Sequence, residues 1–213
     1  ITAQLEHPNI VPVHDLGSTD NGEIYFSMKY VSGESLKAII KQLDAGKIES
    51  IEAFSRARML NIFQSICMAM AFAHARGIIH RDIKPANVMV GEFGEPLVLD
   101  WGVAKLIART DEEEAASEAS ITTSRGESQD ETQMGLVTGT PAYMAPEQAA
   151  GRIDRLDQRT DIFSLGVLLY EMLVFRSPFR KTSQRETLRA VIVDSPPAFD
   201  TWDHVSLVPL TLQ

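Results

Sequence analysis

Cysteine is almost absent from this chain, since Cys67 is the single example among 213 residues. No intrachain disulfide can form, so the fold depends on an apolar core, and a reducing compartment is the expected setting. Long hydrophobic runs are lacking as well, because the longest apolar stretch, 165–175, is short and is interrupted by Glu171. It cannot cross a bilayer. We therefore expect a cytoplasmic chain, with any membrane anchor of a longer parent protein lying outside these residues.

An excess of basic residues is also missing. The net charge is −9, which argues against a general nucleic-acid binder, whose binding surface would be basic. Residues 107–136 hold eight acidic side chains against Arg109 and Arg125, so this one segment supplies six of the nine negative charges. It is also rich in Ser and Thr, and such a composition cannot bury enough apolar surface to fold alone. We expect disorder over 110–132 when that stretch is unphosphorylated.

The most informative feature that is present is the run HRDIKPAN at 80–87, followed by DWG at 100–102. Transfer of the γ-phosphoryl group of ATP to a hydroxyl needs mainly positioning and charge neutralisation. It requires a carboxylate beside the attacking hydroxyl, oxygen ligands for Mg²⁺ and a cation near the phosphoryl group. Asp82 suits the first task, Asn87 and Asp100 the second, and Lys84 the third. The pattern predicts a phosphotransfer site.

Patterns along the chain predict where these residues lie. Two β-prone runs, 88–90 and 96–99, flank a glycine-containing turn, and a hairpin there would bring Asn87 and Asp100 together although they are 13 residues apart. A second hairpin is predicted from runs 11–16 and 24–30, separated by the turn sequence DNG.

Helices are predicted from apolar spacing and from end signals. Apolar residues recur at helical spacing from Met59 to Ala73, and Gly77 supplies the stop. His74 lies on this helix and is expected to be packed or locally hydrogen-bonded. Asp161 is a candidate N-cap for a helix running to about residue 175. A short amphipathic helix is expected over 183–193, ended by two prolines.

Taken together, these motifs resemble those of the eukaryotic-type (Hanks-type) protein kinases, and the residues in and around them are similar to those of bacterial serine/threonine kinases. The resemblance extends to HPNIV at 7–11, GTP at 139–141, APE at 145–147 and DIFSLG at 161–166. Lys84, two positions after Asp82, is typical of kinases that phosphorylate Ser or Thr. The implied fold is α+β, with residues 1–32 forming part of a β N-lobe and hinge, and 33–213 forming a mainly helical C-lobe.

The resemblance implies ATP and Mg²⁺ as cofactors. Met28 falls at the gatekeeper position, Lys29 and Val31 in the hinge that binds adenine, and Met89 beneath the adenine ring. Simple core packing is a compatible alternative for Met28. Lys84 would contact the phosphates as well.

Other family roles concern regulation and support. Arg81 would pair with a phosphate on the activation segment, for which Thr132 and Thr138 are the best-placed acceptors. The alternative is that the insert at 107–136 is a solvated acidic spacer. The Thr140 hydroxyl is expected to contact the catalytic Asp and Lys. Supporting roles fall to four residues: His80, Trp101, Glu147 and Asp161. Trp101 replaces the usual Phe and needs a partner for its N–H group.

The resemblance covers only part of a kinase, because a Gly-rich phosphate loop and the strand lysine are not in this sequence. We expect a fragment, with Glu147 lacking the arginine partner of later helices. The parent is expected to be a serine/threonine kinase that phosphorylates proteins and can autophosphorylate in trans, with the isolated fragment inactive. The alternative is a pseudokinase or a phospho-regulated interaction module, which loss of Asp82, Asn87 or Asp100 would have favoured.

Overall fold

The computed structural model describes residues 5–18, 24–101, 105–106 and 139–198. Its strands are β1 (Val13–Ser18), β2 (Ile24–Met28), β3 (Glu34–Ser35), β4 (Ile78–Ile79), β5 (Val88–Val90), β6 (Pro96–Val98) and β7 (Lys105–Leu106). Its α-helices are α1 (Leu36–Asp44), α2 (Ile48–Ala53), α3 (Arg56–His74), α4 (Pro146–Ala149), α5 (Gln158–Val174) and α6 (Gln184–Val193). None of the helices in the described ranges is long and apolar enough to span a membrane.

The hairpin predicted from runs 11–16 and 24–30 is confirmed. Strands β1 and β2 pair antiparallel, with Gly17 opposite Tyr25. The pairing continues past the strand ends, because the backbone N–H of Lys29 donates to the carbonyl of Pro12 over 3.1 Å. The DNG turn lies outside the described residues.

The hairpin predicted from runs 88–90 and 96–99 is also confirmed, and β3 adds to it in the sheet β3-β5-β6, in which both pairs are antiparallel. Val88 lies opposite Val98, so the open end of the hairpin falls at residues 87 and 99. There the N–H of Leu99 donates to the carbonyl of Asn87 over 2.8 Å. The two chain segments that carry Asn87 and Asp100 are therefore joined directly.

Helix α3 is the centre of the main core. Its N-cap is Ser55, whose hydroxyl accepts a hydrogen bond from the N–H of Arg58. Its buried residues are Met59, Ile62, Ile66, Ala69, Met70 and Ala73. Gly77 follows with a φ of 70°, a left-handed conformation that glycine adopts without steric cost. This helix was predicted from the same spacing, and it packs on the apolar residues of α1, β5, β6 and α5.

Helix α5 begins earlier than predicted. Its N-cap is Asp157, whose carboxylate accepts from the N–H of Arg159, and Asp161 lies inside the first turns. The prediction of Asp161 as N-cap was wrong, because two aspartates four residues apart both suit a helix start and the exposed one takes it. Asp161 is fully buried instead.

Helix α6 confirms the last predicted helix. Ser183 and Glu186 form a reciprocal capping box at its start, and the helix ends before the proline pair. Its residues Ala190 and Val191 pack on Tyr143 and Ala149 in a second, smaller core. This core attaches α4 and the 3₁₀ turn Pro141–Tyr143 to the rest of the helical part.

Candidate active site

The loop that carries Asp82 is held by a buried carboxylate from another element. Asp161 on α5 accepts hydrogen bonds from the backbone N–H groups of His80 and Arg81, each 2.8 Å long. It also accepts from Nε2 of His74 on α3, again at 2.8 Å. Arg81 has a φ of 67°, which costs free energy for a residue with a side chain. The bonds to Asp161 stabilise that conformation, and they place Asp82 one residue later.

Asp82 is the centre of the polar cluster. Its side chain is 2% exposed, and its Oδ2 accepts from Nζ of Lys84 at 2.5 Å and from Nδ2 of Asn87 at 3.1 Å. Its Oδ1 accepts from the backbone N–H of Thr140 at 3.1 Å. A buried carboxylate with these donors is fixed in one orientation.

Thr140 joins the activation-segment end to this cluster. Its hydroxyl accepts from Nζ of Lys84 over 2.7 Å, while its contact with Asp82 is made by the backbone N–H and not by the hydroxyl. The preceding Gly139 has a φ of 130°, and a Cβ there would lie 3.1 Å from Nε2 of Gln148. The backbone conformation therefore favours glycine, and a Cβ would also require the Gln148 side chain to shift slightly.

The residues predicted to hold Mg²⁺ have suitable donors. Nδ2 of Asn87 donates to the carbonyl and to Oδ2 of Asp82, which leaves its amide oxygen as the atom available for a cation. Asp100 follows Leu99, whose N–H is bonded to the Asn87 carbonyl, and it adopts a φ of 59°. A carboxylate and an amide oxygen are the hard ligands that Mg²⁺ prefers, so the residues fit this ion.

His80 and Trp101 form the packed layer beneath the loop. Their rings lie 4.6 Å apart at 58°, and the indole N–H donates to the carbonyl of Val98 over 3.3 Å. Nε2 of His80 donates to the carbonyl of Leu99 over 2.9 Å, and its Nδ1 accepts from the N–H of Asp82. Burial lowers the pKa of His80, with the Asp161 carboxylate opposing that shift. Trp101 therefore finds the partner it needs and fills the place of the usual Phe.

The residues expected at adenine lie along the β2 end and β5. Met28 is 46% exposed within the described residues. Lys29 is exposed, and Val31 packs partly against the main core. Met89 is half-buried on β5, opposite Ser35 of β3.

Glu147 is not left without a partner. Its Oε1 accepts from the hydroxyl of Thr160 over 2.8 Å, and it lines a cavity of about 430 Å³. The arginine partner expected from later helices stays a prediction, and within the described residues a neighbouring threonine on α5 supplies a donor. Three arginines line the same cavity: Arg152, Arg155 and Arg159.

Several contacts were not found from the sequence. Nε2 of Gln148 donates to the carbonyl of Arg81 over 2.8 Å. The hydroxyl of Tyr143 donates to Oε2 of Glu171 over 2.6 Å and accepts from Nη2 of Arg180 at 3.4 Å. Glu171 gave a signal, because it interrupts the longest apolar run. Burial raises the pKa values of both Tyr143 and Glu171.

The proposed phosphate acceptors Thr132 and Thr138 lie outside the described residues, as does the rest of the acidic insert. The partner proposed for them, Arg81, is half-buried. Its carbonyl is held by Gln148 and its N–H by Asp161. The backbone of Arg81 is thus fixed from two elements.

Comparisons with known proteins agree with this geometry. The model of the family described as protein kinase domain matches residues 1–207. Serine/threonine-protein kinase PknD of Protochlamydia amoebophila is 42% identical over 185 residues, which cover 85% of this chain and 18% of that protein. The proteins of the same name from Chlamydia caviae and Chlamydia trachomatis serovar D are 39% and 37% identical, over 89% and 87% of this chain and 20% of each relative.

The chain therefore spans about a fifth of the length of the curated relatives it matches. With a family match over nearly its whole length, the chain belongs to the protein kinase domain family.

Proposed function

We propose that the protein containing this chain is an ATP-dependent serine/threonine protein kinase. The observation that carries the proposal is the buried Asp82 carboxylate, fixed by Lys84, Asn87 and Thr140. Each of these donors has a task in phosphoryl transfer or adjoins residues 139–143, where we expect a substrate peptide to lie and which we call the peptide platform. All three polar residues whose loss would have favoured a pseudokinase are present: Asp82, Asn87 and Asp100.

In the proposed reaction, the hydroxyl oxygen of a protein Ser or Thr attacks the γ-phosphorus of ATP. The bond from that phosphorus to the β,γ-bridging oxygen breaks, ADP leaves, and the hydroxyl proton passes to Asp82. Lys84 already bridges Asp82 and Thr140, so it is placed to neutralise charge on the transferred group.

Cofactor binding follows from the same residues. Asn87 and Asp100 would hold Mg²⁺, which when bound supplies neutralisation of phosphate charge. Met28, Lys29, Val31 and Met89 are proposed for the adenine side. The division into an N-lobe part (1–32) and a C-lobe part (33–213) stays a prediction of the resemblance.

Regulation by phosphorylation is proposed for Arg81 with Thr132 or Thr138. A phosphate paired with this arginine would couple the activation segment to the loop that carries Asp82. The support is that the backbone of Arg81 is hydrogen-bonded to Gln148 and Asp161. The backbone position from which its side chain extends is therefore fixed.

The test is Asp82→Asn in the full-length protein. Phosphate transfer from labelled ATP to a mixture of Ser- and Thr-containing peptides should fall roughly 10²- to 10⁴-fold, because the proton acceptor is lost. Mg-ATP binding, measured by calorimetry, should be retained. Asp154→Asn, on the exposed turn Ile153–Arg155, is the matched control and should transfer phosphate normally. Unchanged turnover in the Asp82 variant would remove the proposed role.

A further inference from the structure

A groove of about 800 Å³ lies beside α6. Its polar lining comes from Arg180, Lys181, Thr182, Glu186, Arg189 and Asp194. We call this the basic groove. It belongs to the segment 176–194, which holds five basic residues against two acidic ones, in a chain whose net charge is −9. The local charge is thus opposite to that of the whole chain.

The two acidic residues of the basic groove are already engaged. Asp194 pairs with Nζ of Lys181 at 3.4 Å. The Glu186 carboxylate accepts from the N–H of Ser183 at 3.2 Å as part of the capping box. Arg189 is exposed, and among the described residues it makes neither an ion pair nor a hydrogen bond. Arg180 and Arg189 therefore supply the charge that the groove offers to a partner.

The basic groove is continuous with the peptide platform. Nη2 of Arg180 donates to the hydroxyl of Tyr143 at 3.4 Å, and Tyr143 ends the turn that begins directly after Thr140. Thr140 in turn contacts Asp82 and Lys84. A peptide whose acceptor hydroxyl reaches Asp82 would thus have the basic groove within reach of its neighbouring residues.

A carboxylate on the same side, that of Glu171, already has a hydrogen-bond donor and a positive charge beside it. Glu171 is held by the Tyr143 hydroxyl at 2.6 Å, and the positive charge of Arg180 acts on it as well. A cationic substrate side chain that approached this carboxylate would also experience the positive charge of Arg180. The arrangement disfavours basic peptides and favours acidic ones.

Building on the proposed kinase function, we propose that the basic groove selects protein substrates in which acidic residues accompany the phosphorylated Ser or Thr. Carboxylates of the substrate pair with Arg180 and Arg189, whose guanidinium groups suit bidentate contacts. Such exposed pairs act on substrate binding and leave the chemical step unchanged.

The experiment uses the full-length protein and two Ser-containing peptides that differ only in carrying several glutamates or several lysines. Wild-type protein should show the lower KM for the glutamate peptide. Arg189→Glu should raise that KM roughly three- to tenfold and leave kcat within about twofold. It should also lower the KM for the lysine peptide. Lys47→Glu is the charge-matched control, in the connection between α1 and α2, and should change neither KM.

Arg180→Gln provides a second variant that keeps a donor for Tyr143. Fluorescence anisotropy of labelled peptides measures binding without phosphate transfer, so it tests the basic groove even if the kinase function fails. The glutamate peptide should bind more weakly at high salt and to both variants. Equal binding of the two peptides to wild type, or equal losses in the Lys47 control, would overturn the proposal. If instead peptide binding follows the proposal while wild type transfers no phosphate, the fault lies with the proposed function.

Discussion

His80 helps to hold the loop that carries Asp82. Both ring nitrogens are used, Nε2 as donor to Leu99 and Nδ1 as acceptor from Asp82. This arrangement requires the neutral ring, since protonation of Nδ1 would remove its bond from the Asp82 N–H. The residue is fully buried, so the protonated form would also be poorly solvated.

This arrangement predicts a pH-dependent stability. Burial holds the pKa of His80 below its ordinary 6.5, although nearby carboxylates, chiefly Asp161, oppose the shift. Because the unfolded state then binds the proton more readily, the contribution to stability is present above about pH 6.5 and is lost as pH falls toward the folded pKa. The slope should approach but not exceed about 1.4 kcal/mol per pH unit.

Urea unfolding between about pH 7.5 and about pH 5.5 measures that slope. His80→Gln retains hydrogen-bonding groups but cannot titrate, so its unfolding free energy should fall less steeply over the same range. Parallel slopes for the two proteins would show that His80 does not carry the effect.

Short motifs predicted the residues of the candidate site better than their partners. The identity of Asp82, Lys84 and Asn87 follows from one run of eight residues, within which neighbours contact one another. Longer links depend on packing that no local pattern shows: Gln148 to the Arg81 carbonyl spans 67 residues and His74 to Asp161 spans 87. Glu147 illustrates the same limit, since its donor Thr160 became clear only from the structure.

At the scale of elements, several helices were predicted correctly, but the residue at which a helix begins was not always predicted. Apolar spacing indicated α3, and the amphipathic pattern of 183–193 with two prolines after it indicated α6. For α5, burial decided between Asp157 and Asp161, and burial depends on the other elements. Helices α1 and α2 were not assigned in advance, because no motif in 36–53 drew attention to them.

The capping box gives a prediction for α6. Ser183→Ala removes the acceptor for the N–H of Glu186 and should lower the free energy of unfolding by about 1 kcal/mol. Ser183→Thr keeps a hydroxyl and should cost less. Hydrogen exchange of the first turn of α6 locates the effect, and faster exchange elsewhere with none in α6 would contradict it.

At the scale of the whole molecule, one carboxylate ties three segments together. Asp161 belongs to α5 and accepts from His74 on α3 and from two backbone N–H groups of the loop before Asp82. The main core supplies the rigid packing of α3 against α5. The position of the candidate site thus depends on tertiary structure that a loop motif alone does not specify.

Asp161→Asn tests this dependence. An amide in the same place turns an NH₂ group toward at least one of three donors, so a buried hydrogen bond is lost. We expect the free energy of unfolding to fall by about 2 to 4 kcal/mol, with a lower kcat because the loop carrying Asp82 is less fixed. Asp157→Asn is the matched control, since Asn and Asp are equally good N-caps. Urea midpoints and phosphate transfer should separate the two variants. Equal midpoints would show that Asp161 contributes no more to the free energy of unfolding than Asp157 does.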